Sequence, residues 1–313
     1  MAGDGIEIGM SEASPLADFA FRSLRPEDKP RVLEITAHTW GDGDYIPEVW
    51  ERWLADPRGE FTAAVQNGVV VAIAKLTWQD GGQWWMEGLR VDPERRLKGI
   101  GQAMCMYQVA LVKQLGGRVV RYMTGIRNDG SHRIAERAGF HVVARFVERV
   151  ADKIDGPVEA VTLTSDDLDA VWNMARESDV VRATQGIYVC DWKACELTQE
   201  HVAEHLRKGE LMGVRDEAGR PRAWCLTHLE PDWDRLGISC LDGETNGIAA
   251  LAHAMRAQAY ASGKVMVETL TPPHPRVMGA LESAGYHLEV DPKHPEDVHE
   301  HGVDMLELRL DKT

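Results

Sequence analysis

The seven residues Glu136-Arg137-Ala138-Gly139-Phe140-His141-Val142 return as Glu282-Ser283-Ala284-Gly285-Tyr286-His287-Leu288, an E-x-A-G-aromatic-H-aliphatic pattern repeated 146 residues further on. In a chain of 313 residues, longer than one hydrophobic core usually organises, that spacing points to two copies of one folding unit. A short echo can arise by chance, so the order of elements around it has to decide. Ahead of the first copy, Phe19 to Leu24 reads as a strand, and Arg25-Pro26-Glu27-Asp28 opens a helix with Val32, Leu33 and Ile35 on one face. A second helix is predicted around Pro47 to Leu54. Phe61 to Gln66 and Val69 to Trp78 alternate about Asn67-Gly68, a hairpin signal because both turn residues tolerate positive φ. Trp84 to Val91 is a further strand, Gln102 to Leu115 a long helix, Val119 to Thr124 a strand and Ser131 to Ala138 a helix. The predicted order is β-α-α-β-β-β-α-β-α-β.

The order then restarts. Ala160-Val161-Thr162-Leu163-Thr164-Ser165-Asp166-Asp167 echoes the strand and acidic helix start at Phe21 to Asp28, and strands are predicted at Leu211 to Val214, Ala223 to His228 and Leu236 to Cys240. An α+β chain in tandem follows: a flexible tail over 1–17, one domain over 18–152 and a second over 153–313, with the junction near Asp152 to Pro157.

Chemistry is concentrated in Val91-Asp92-Pro93-Glu94-Arg95-Arg96-Leu97-Lys98-Gly99-Ile100-Gly101, between a strand and a helix. Glycines at alternate positions let the backbone approach a ligand, and the free N–H groups of the following helix form an anion site. A lone G-x-G means little more than a tight turn. No G-K-[ST] follows, so it is not a Walker loop, and the third glycine of a dinucleotide fingerprint would fall at Met104. In context, R-x-x-G-x-G after V-x-P resembles the acetyl-CoA-binding motif of the GNAT superfamily of N-acetyltransferases, whose element order is similar to that read above. The resemblance is good over Phe19 to about Val150 and weak beyond. It implies two tandem GNAT-like domains, each a mixed, mostly antiparallel twisted sheet flanked by helices. It also implies that Arg96, Leu97, Lys98, Gly99, Ile100 and Gly101 cradle the pyrophosphate, while Leu89 and Val91 offer backbone groups to the acetyl-pantetheine arm. Asn128 matches a position that often touches that arm; a helix cap suits it equally well.

Acetyl transfer to an amine needs a base, direct or through water. The resemblance points to Glu87, on the strand that leads into the cofactor turn. Its apolar neighbours Trp84, Trp85, Met86 and Leu89 would raise a carboxylate's pKa, although a structural ion-pair role is the alternative. The family's usual general acid, a tyrosine, would fall at Ala135 and is missing, which leaves Tyr122, His132 or water to protonate the thiolate. The family chooses its acceptor with the helices after the first strand. Here Trp40-Gly41-Asp42-Gly43-Asp44-Tyr45-Ile46-Pro47 makes Asp42, Asp44 and Tyr45 candidates to hold a cationic amine, with Trp85 beside them, although D-G-D is also ordinary turn chemistry. Trp50 and Trp53, three apart on a helix, read as core. Asp44-Tyr45-Ile46-Pro47 with Glu87-Gly88-Leu89-Arg90-Val91 resembles a GNAT subgroup that includes vertebrate histidine N-acetyltransferase, which implies a small amine or free amino acid as acceptor. In the second half, Glu244-Thr245-Asn246-Gly247-Ile248-Ala249 occupies the place of the cofactor turn with a glutamate where Arg96 stands, a repulsive neighbour for pyrophosphate and the mark of a degenerate copy.

Composition narrows the partners. With 35 Lys+Arg against 50 Asp+Glu the formal charge is -15, which argues against nucleic acid. Met1 to Pro15 lack the basic start and apolar run of a signal peptide, and no stretch reaches the ~18 apolar residues of a membrane span. A cytoplasmic monomer or homodimer, with acetyl-CoA as co-substrate and no membrane partner, is expected. Five cysteines without a C-x-x-C pair are expected reduced and mostly buried. His294-Pro295-Glu296-Asp297-Val298-His299-Glu300-His301 matches no strong zinc spacing, so no metal is expected. The rival class is a non-catalytic acyl-CoA-binding or regulatory protein, motivated by Ala135 and the altered second copy.

Overall fold

Asn67 and Gly68 both take positive φ, 52° and 78°, and join two antiparallel strands as the hairpin pattern predicts. The structure, a computed structural model, describes residues 19–37, 43–96, 99–190, 192–229, 234–289 and 302–310. In chain order its elements begin β1 (Ala20–Ser23), α1 (Lys29–Thr36), α2 (Ile46–Leu54), β2 (Glu60–Gln66), β3 (Val69–Gln79), β4 (Gln83–Val91), α3 (Ile100–Gln114), β5 (Val119–Gly125), α4 (Asp129–Ala138) and β6 (His141–Asp152), the order read from sequence. The second round runs β7 (Val161–Thr162), α5 (Leu168–Glu177), α6 (Asp179–Ala183), β8 (Ile187–Cys190), β9 (Lys193–Glu196), α7 (Gln199–Lys208), β10 (Leu211–Arg215), β11 (Pro221–His228), β12 (Arg235–Gly243), α8 (Thr245–Ala261), β13 (Met266–Thr271), α9 (Pro275–Ser283) and β14 (Gly302–Arg309). The β8–β9 hairpin, with strands of four residues, is too short to have shown a period in the sequence.

Two compact units result, and each is completed by a strand from the other half of the sequence. Among the described residues, the first contains 19–124, 128–141 and 306–310, and the second contains 125–127 and 142–305. The first unit's sheet has the order β1-β2-β3-β4-β5 and then the end of β14, from Leu306 onward. The second has the matching order β7-β10-β11-β12-β13 and then β6, whose Val147 to Asp152 pair antiparallel with Thr271 to Met266. Within each sheet the fourth and fifth strands run parallel, β4 with β5 and β12 with β13, and the pairs before them run antiparallel.

In the first unit α1 and α2 pack Val32, Ile35, Trp50 and Trp53 on one sheet face, against Phe61 and Ile73. On the opposite face α3 packs Ala103, Met104 and Leu111 against Ala72, Leu76 and Trp84. Leu33 departs from expectation and stays 39 % exposed. Each residue advances an α-helix by about 100°, so Val32, Ile35 and Thr36 share the inward stripe while Leu33 falls on its flank. The entry angle is fixed by Asp28, whose carboxylate accepts two bonds from Arg22 on β1, at 2.6 and 2.8 Å. The second unit repeats the device: Asp167 stands in the same place and is held by Arg215 on β10 at 2.8 and 2.9 Å. Cys105 and Cys225 are buried, the other three cysteines are half-buried, and no disulfide joins them. Among the described residues no helix is long and apolar enough to cross a membrane, and no group of three or more His, Cys, Asp or Glu is placed to hold a metal; His294 to His301 lie outside them.

The second unit carries one costly feature. Glu148 on β6 lies with Glu268 and Glu289 around the single guanidinium of Arg235. Loss of solvent, then repulsion from Glu268 and Glu289, outweighs Arg235 and pushes the Glu148 carboxyl up to about 7. Between its unfolded value near 4.5 and about 7 the folded protein therefore binds more protons than the unfolded chain, so stability falls as pH rises through that window. Glu148→Gln is expected to raise unfolding free energy at pH 8 by about 2–3 kcal/mol and to change it little at pH 4. Urea unfolding at the two pH values checks this, and an equal effect at both would refute it.

Candidate functional site

β4 is paired with β5 at only three positions, Gln83↔Val119, Trp84↔Val120 and Trp85↔Arg121. Among the described residues no register pair joins the two strands further along, from Met86 to Val91. On its other edge β4 pairs with β3 through a bulge, with Ile73↔Arg90 and Lys75↔Glu87, so that Gly88 and Leu89 together oppose Ala74. Gly88 is required there. Its φ is 67°, and a Cβ would lie 2.6 Å from Trp53 and 3.1 Å from Ile46. Just ahead of the bulge, half-buried Glu87 accepts a 2.5 Å hydrogen bond from the Thr77 hydroxyl.

The end of β4 is pinned before the turn begins. The Asp92 amide donates to the Val71 carbonyl at 3.0 Å, and its buried carboxylate caps the Glu94 amide and pairs with Arg31. Arg96 is exposed; Leu97 and Lys98 lie outside the described residues. The two glycines of the motif serve different ends. Gly99 takes φ 78° with nothing within 4 Å of where a Cβ would sit, so conformation requires it, whereas Gly101 would bring a Cβ 3.0 Å from Ile134, so space does. The first intrahelical bond of α3 is Ala103 N–H to Gly99 O, 2.9 Å, and the amides of Ile100, Gly101 and Gln102 have no carbonyl within the helix to reach. Beside them Leu89 and Val91 pack with the core. Helix-start amides without intrahelical acceptors are donors of the kind an anion uses.

The second unit has lost that turn outright. Eight residues, 92–99, separate β4 from α3, but Glu244 alone separates β12 from α8. The Glu244 amide is taken by the Arg222 carbonyl at 3.0 Å, and Gly247 packs so close that a Cβ would meet Ala223 and Arg222 at 3.1 Å. The second unit thus has neither the loop nor an arginine at this connection.

On the acceptor side the structure corrects two expectations. Asp44 is not a lone charge for an amine. Arg90 grips it at 2.6 and 3.2 Å, and it caps the Ile46 amide at 3.0 Å, so it presents a neutral pair and starts α2. Trp85 is 2 % exposed and cannot present a face to a substrate. Asp42 lies outside the described residues. Tyr45 remains accessible: its ring stands edge-on to Trp53 at 5.8 Å with the Arg90 guanidinium 5.3 Å from its centre. Its hydroxyl is pushed up to about 12, first by loss of solvent, with Glu87 and Asp44 acting the same way against Arg90. The residue as a whole keeps 43 % exposure, so it presents a neutral phenol at the surface. Trp50 and Trp53 are core. The Arg90 partnership was the feature sequence reasoning missed; it spans 46 positions and no local pattern announces it.

Ala135, at the position of the missing tyrosine, is buried. Tyr122 on β5 donates to the Ser131 carbonyl at 3.2 Å and is pushed up to about 12 by burial, so it holds its proton at neutral pH. Asn128 caps α4 through the Ser131 amide at 3.1 Å, which leaves contact with a ligand as a further, compatible role.

Residues 21–140 match the Acetyltransferase (GNAT) family. A human protein named "Probable N-acetyltransferase 16" is 35% identical over 238 residues, which cover 69% of this chain and 63% of that protein, less than two thirds of its length. Histidine N-acetyltransferase of Oreochromis niloticus is 25% identical over 298 residues, 84% of this chain and 87% of the relative. Among solved structures, a tandem GNAT protein from the clavulanic acid biosynthesis pathway superposes with a TM-score of 0.55 at 16% identity, covering 95% of this chain and all of the other. That likeness bears on the fold alone, and the fold it shares is the tandem one.

The two kinds of glycine separate in a stability measurement. Gly88→Ala, strained in φ and overlapping Trp53, is expected to cost about 2–4 kcal/mol. Gly99→Ala, strained in φ alone, is expected to cost about 1 kcal/mol. Chemical denaturation of the two variants compares them, and equal losses would show that the bulge is not held by Trp53.

Proposed function

We propose, from the match of residues 21–140 to the GNAT acetyltransferase family, that the first unit transfers acetyl from acetyl-CoA to the amine of a small, amino-acid-like acceptor. Glu87 is the base in this reading, and its position carries the proposal. It is half-buried on the strand that ends in the glycine turn, set at a bulge, and hydrogen-bonded by Thr77 so that one carboxylate oxygen is fixed in direction. Bound acetyl-CoA supplies an activated thioester. Amides of the Gly99–Gly101 turn hold its phosphates, with Arg96, Leu97 and Lys98 as the rest of the cradle, and the unpaired side of β4 at Leu89 and Val91 orients its arm; Asn128 is available beside it. The amine nitrogen attacks the thioester carbonyl, the C–N bond forms, and Glu87 takes the amine proton directly or through water. The C–S bond then breaks, and the thiolate recovers a proton from water or from Tyr122. A thiolate is a good enough leaving group that the absence of a tyrosine at Ala135 does not stop the reaction.

Tyr45 forms an acceptor wall, kept neutral by loss of solvent and aimed by Arg90, and Asp44 acts through Arg90 rather than on the substrate. The name of the Oreochromis niloticus relative makes histidine the first acceptor to try. The second unit has no turn for a diphosphate and is non-catalytic in this reading. Cytoplasmic placement as a monomer or homodimer is consistent with the acidic composition.

Mass spectrometry of a mixture of free amino acids and small amines, incubated with acetyl-CoA and purified protein, is expected to show one or a few N-acetylated products. Glu87→Gln is expected to lower kcat/KM by about 100- to 10,000-fold while acetyl-CoA still binds. Tight acetyl-CoA binding with no acetylated product from any amine would favour a binding protein instead. An unchanged rate and pH profile in Glu87→Gln would remove Glu87 as the base.

A further inference from the structure

The last pair before β4 and β5 separate is Trp85↔Arg121, and Arg121 does not end on its own strand. Its guanidinium reaches both ways across β5. Toward β4, Nη1 donates to the Gln83 side-chain oxygen at 2.5 Å; toward β14, Nε and Nη2 both reach Glu307 Oε2, at 2.7 and 2.6 Å. The second oxygen of Glu307 accepts from Arg309 at 2.9 Å. Arg121 is 1 % exposed and Glu307 3 %, so this is a buried charge pair whose remaining polar atoms are bonded. Beyond that point no register pair joins the two parallel strands among the described residues, and the wedge this leaves is the slot for the arm of acetyl-CoA in the reading above. Three strands are therefore laced together where the wedge opens, by one residue from β5 and one from the far end of the chain.

We propose that Arg121 and Glu307 are positioning residues for cofactor binding, with Glu307 from the C-terminal strand fixing the point and angle at which β4 and β5 part. The proposal rests on the acetyl-CoA reading of the slot but not on the identity of the acceptor or on Glu87. A buried pair is a poor means of holding a fold together, since an apolar pair of similar volume often serves stability as well or better. What apolar residues cannot do is hold Gln83 on one side and Glu307 on the other at fixed distances. Loss of Glu307 alone leaves a buried guanidinium uncompensated, and the strands must shift to give it water or another partner. A shift at the apex moves the whole wedge.

The test uses the full-length protein, acetyl-CoA as the probe in calorimetry, and thermal unfolding as the control for folding. E307Q keeps an acceptor for Arg309 but removes the charge; R121M/E307M removes the pair and keeps the volume. R121M/E307M is expected to unfold within a few degrees of the parent yet bind acetyl-CoA about 10- to 100-fold more weakly, with KM for acetyl-CoA rising by the same factor. E307Q is expected to lose affinity to the same degree, and either variant decides the matter if the other does not fold. A folded variant that binds acetyl-CoA as the parent does would overturn the proposal and make the pair structural only. Failure of the parent to bind acetyl-CoA would instead overturn the cofactor reading on which it stands.

Discussion

β4 and β5 share three register pairs and, among the described residues, none beyond, and a break of that kind in a sheet is costly unless other groups, a ligand or water satisfy the backbone. Much of the first unit is arranged around that separation. The Gly88 bulge turns β4 away from regular pairing with β3, Trp53 fills the space that only a glycine leaves, and Asp92 pins the far end of the strand to β3. Because the strand is fixed at both ends and open between them, it can serve as one side of a slot without collapsing onto its neighbour. The glycine turn and the start of α3 follow directly from that strand.

The acceptor side shows how a charged sequence can yield a neutral wall. Asp44 and Arg90 neutralise each other, and the pair spends its directionality on starting α2 and on orienting Tyr45. Glu87 accepts a hydrogen bond from the Thr77 hydroxyl, which fixes one carboxylate oxygen in direction.

Element order in the first half was legible because each piece is long or sharply punctuated: the Asn67-Gly68 hairpin, the fifteen-residue α3, the glycine-ended α4. The duplication was legible from the echo at Glu282 to Leu288, and the Asp28 and Asp167 helix starts now give it a shared physical role. What stayed hidden was whatever depends on distant partners. Asp44 reads as a free carboxylate until Arg90 is beside it, Trp85 reads as a cleft aromatic until its strand is covered, and Glu307 has no local mark at all. The loss of the second cofactor turn was only half legible: the glutamate was visible, but the shortening from eight residues to one needed the strand ends.

The exchange of last strands has a consequence for how the molecule is made. The bond between Arg121 and Glu307 closes a loop of 186 residues, so the glycine turn and the strand bearing Glu87 are synthesised long before the residue that finishes their sheet. Until the strand that carries Glu307 is available, β5 presents an open sheet edge, a surface prone to wrong pairing. Closure of a loop that long is entropically expensive and slow to find, which places completion of the first unit last in time although it comes first in sequence. A nascent chain that is cut short carries the whole cofactor motif and no finished sheet to hold it.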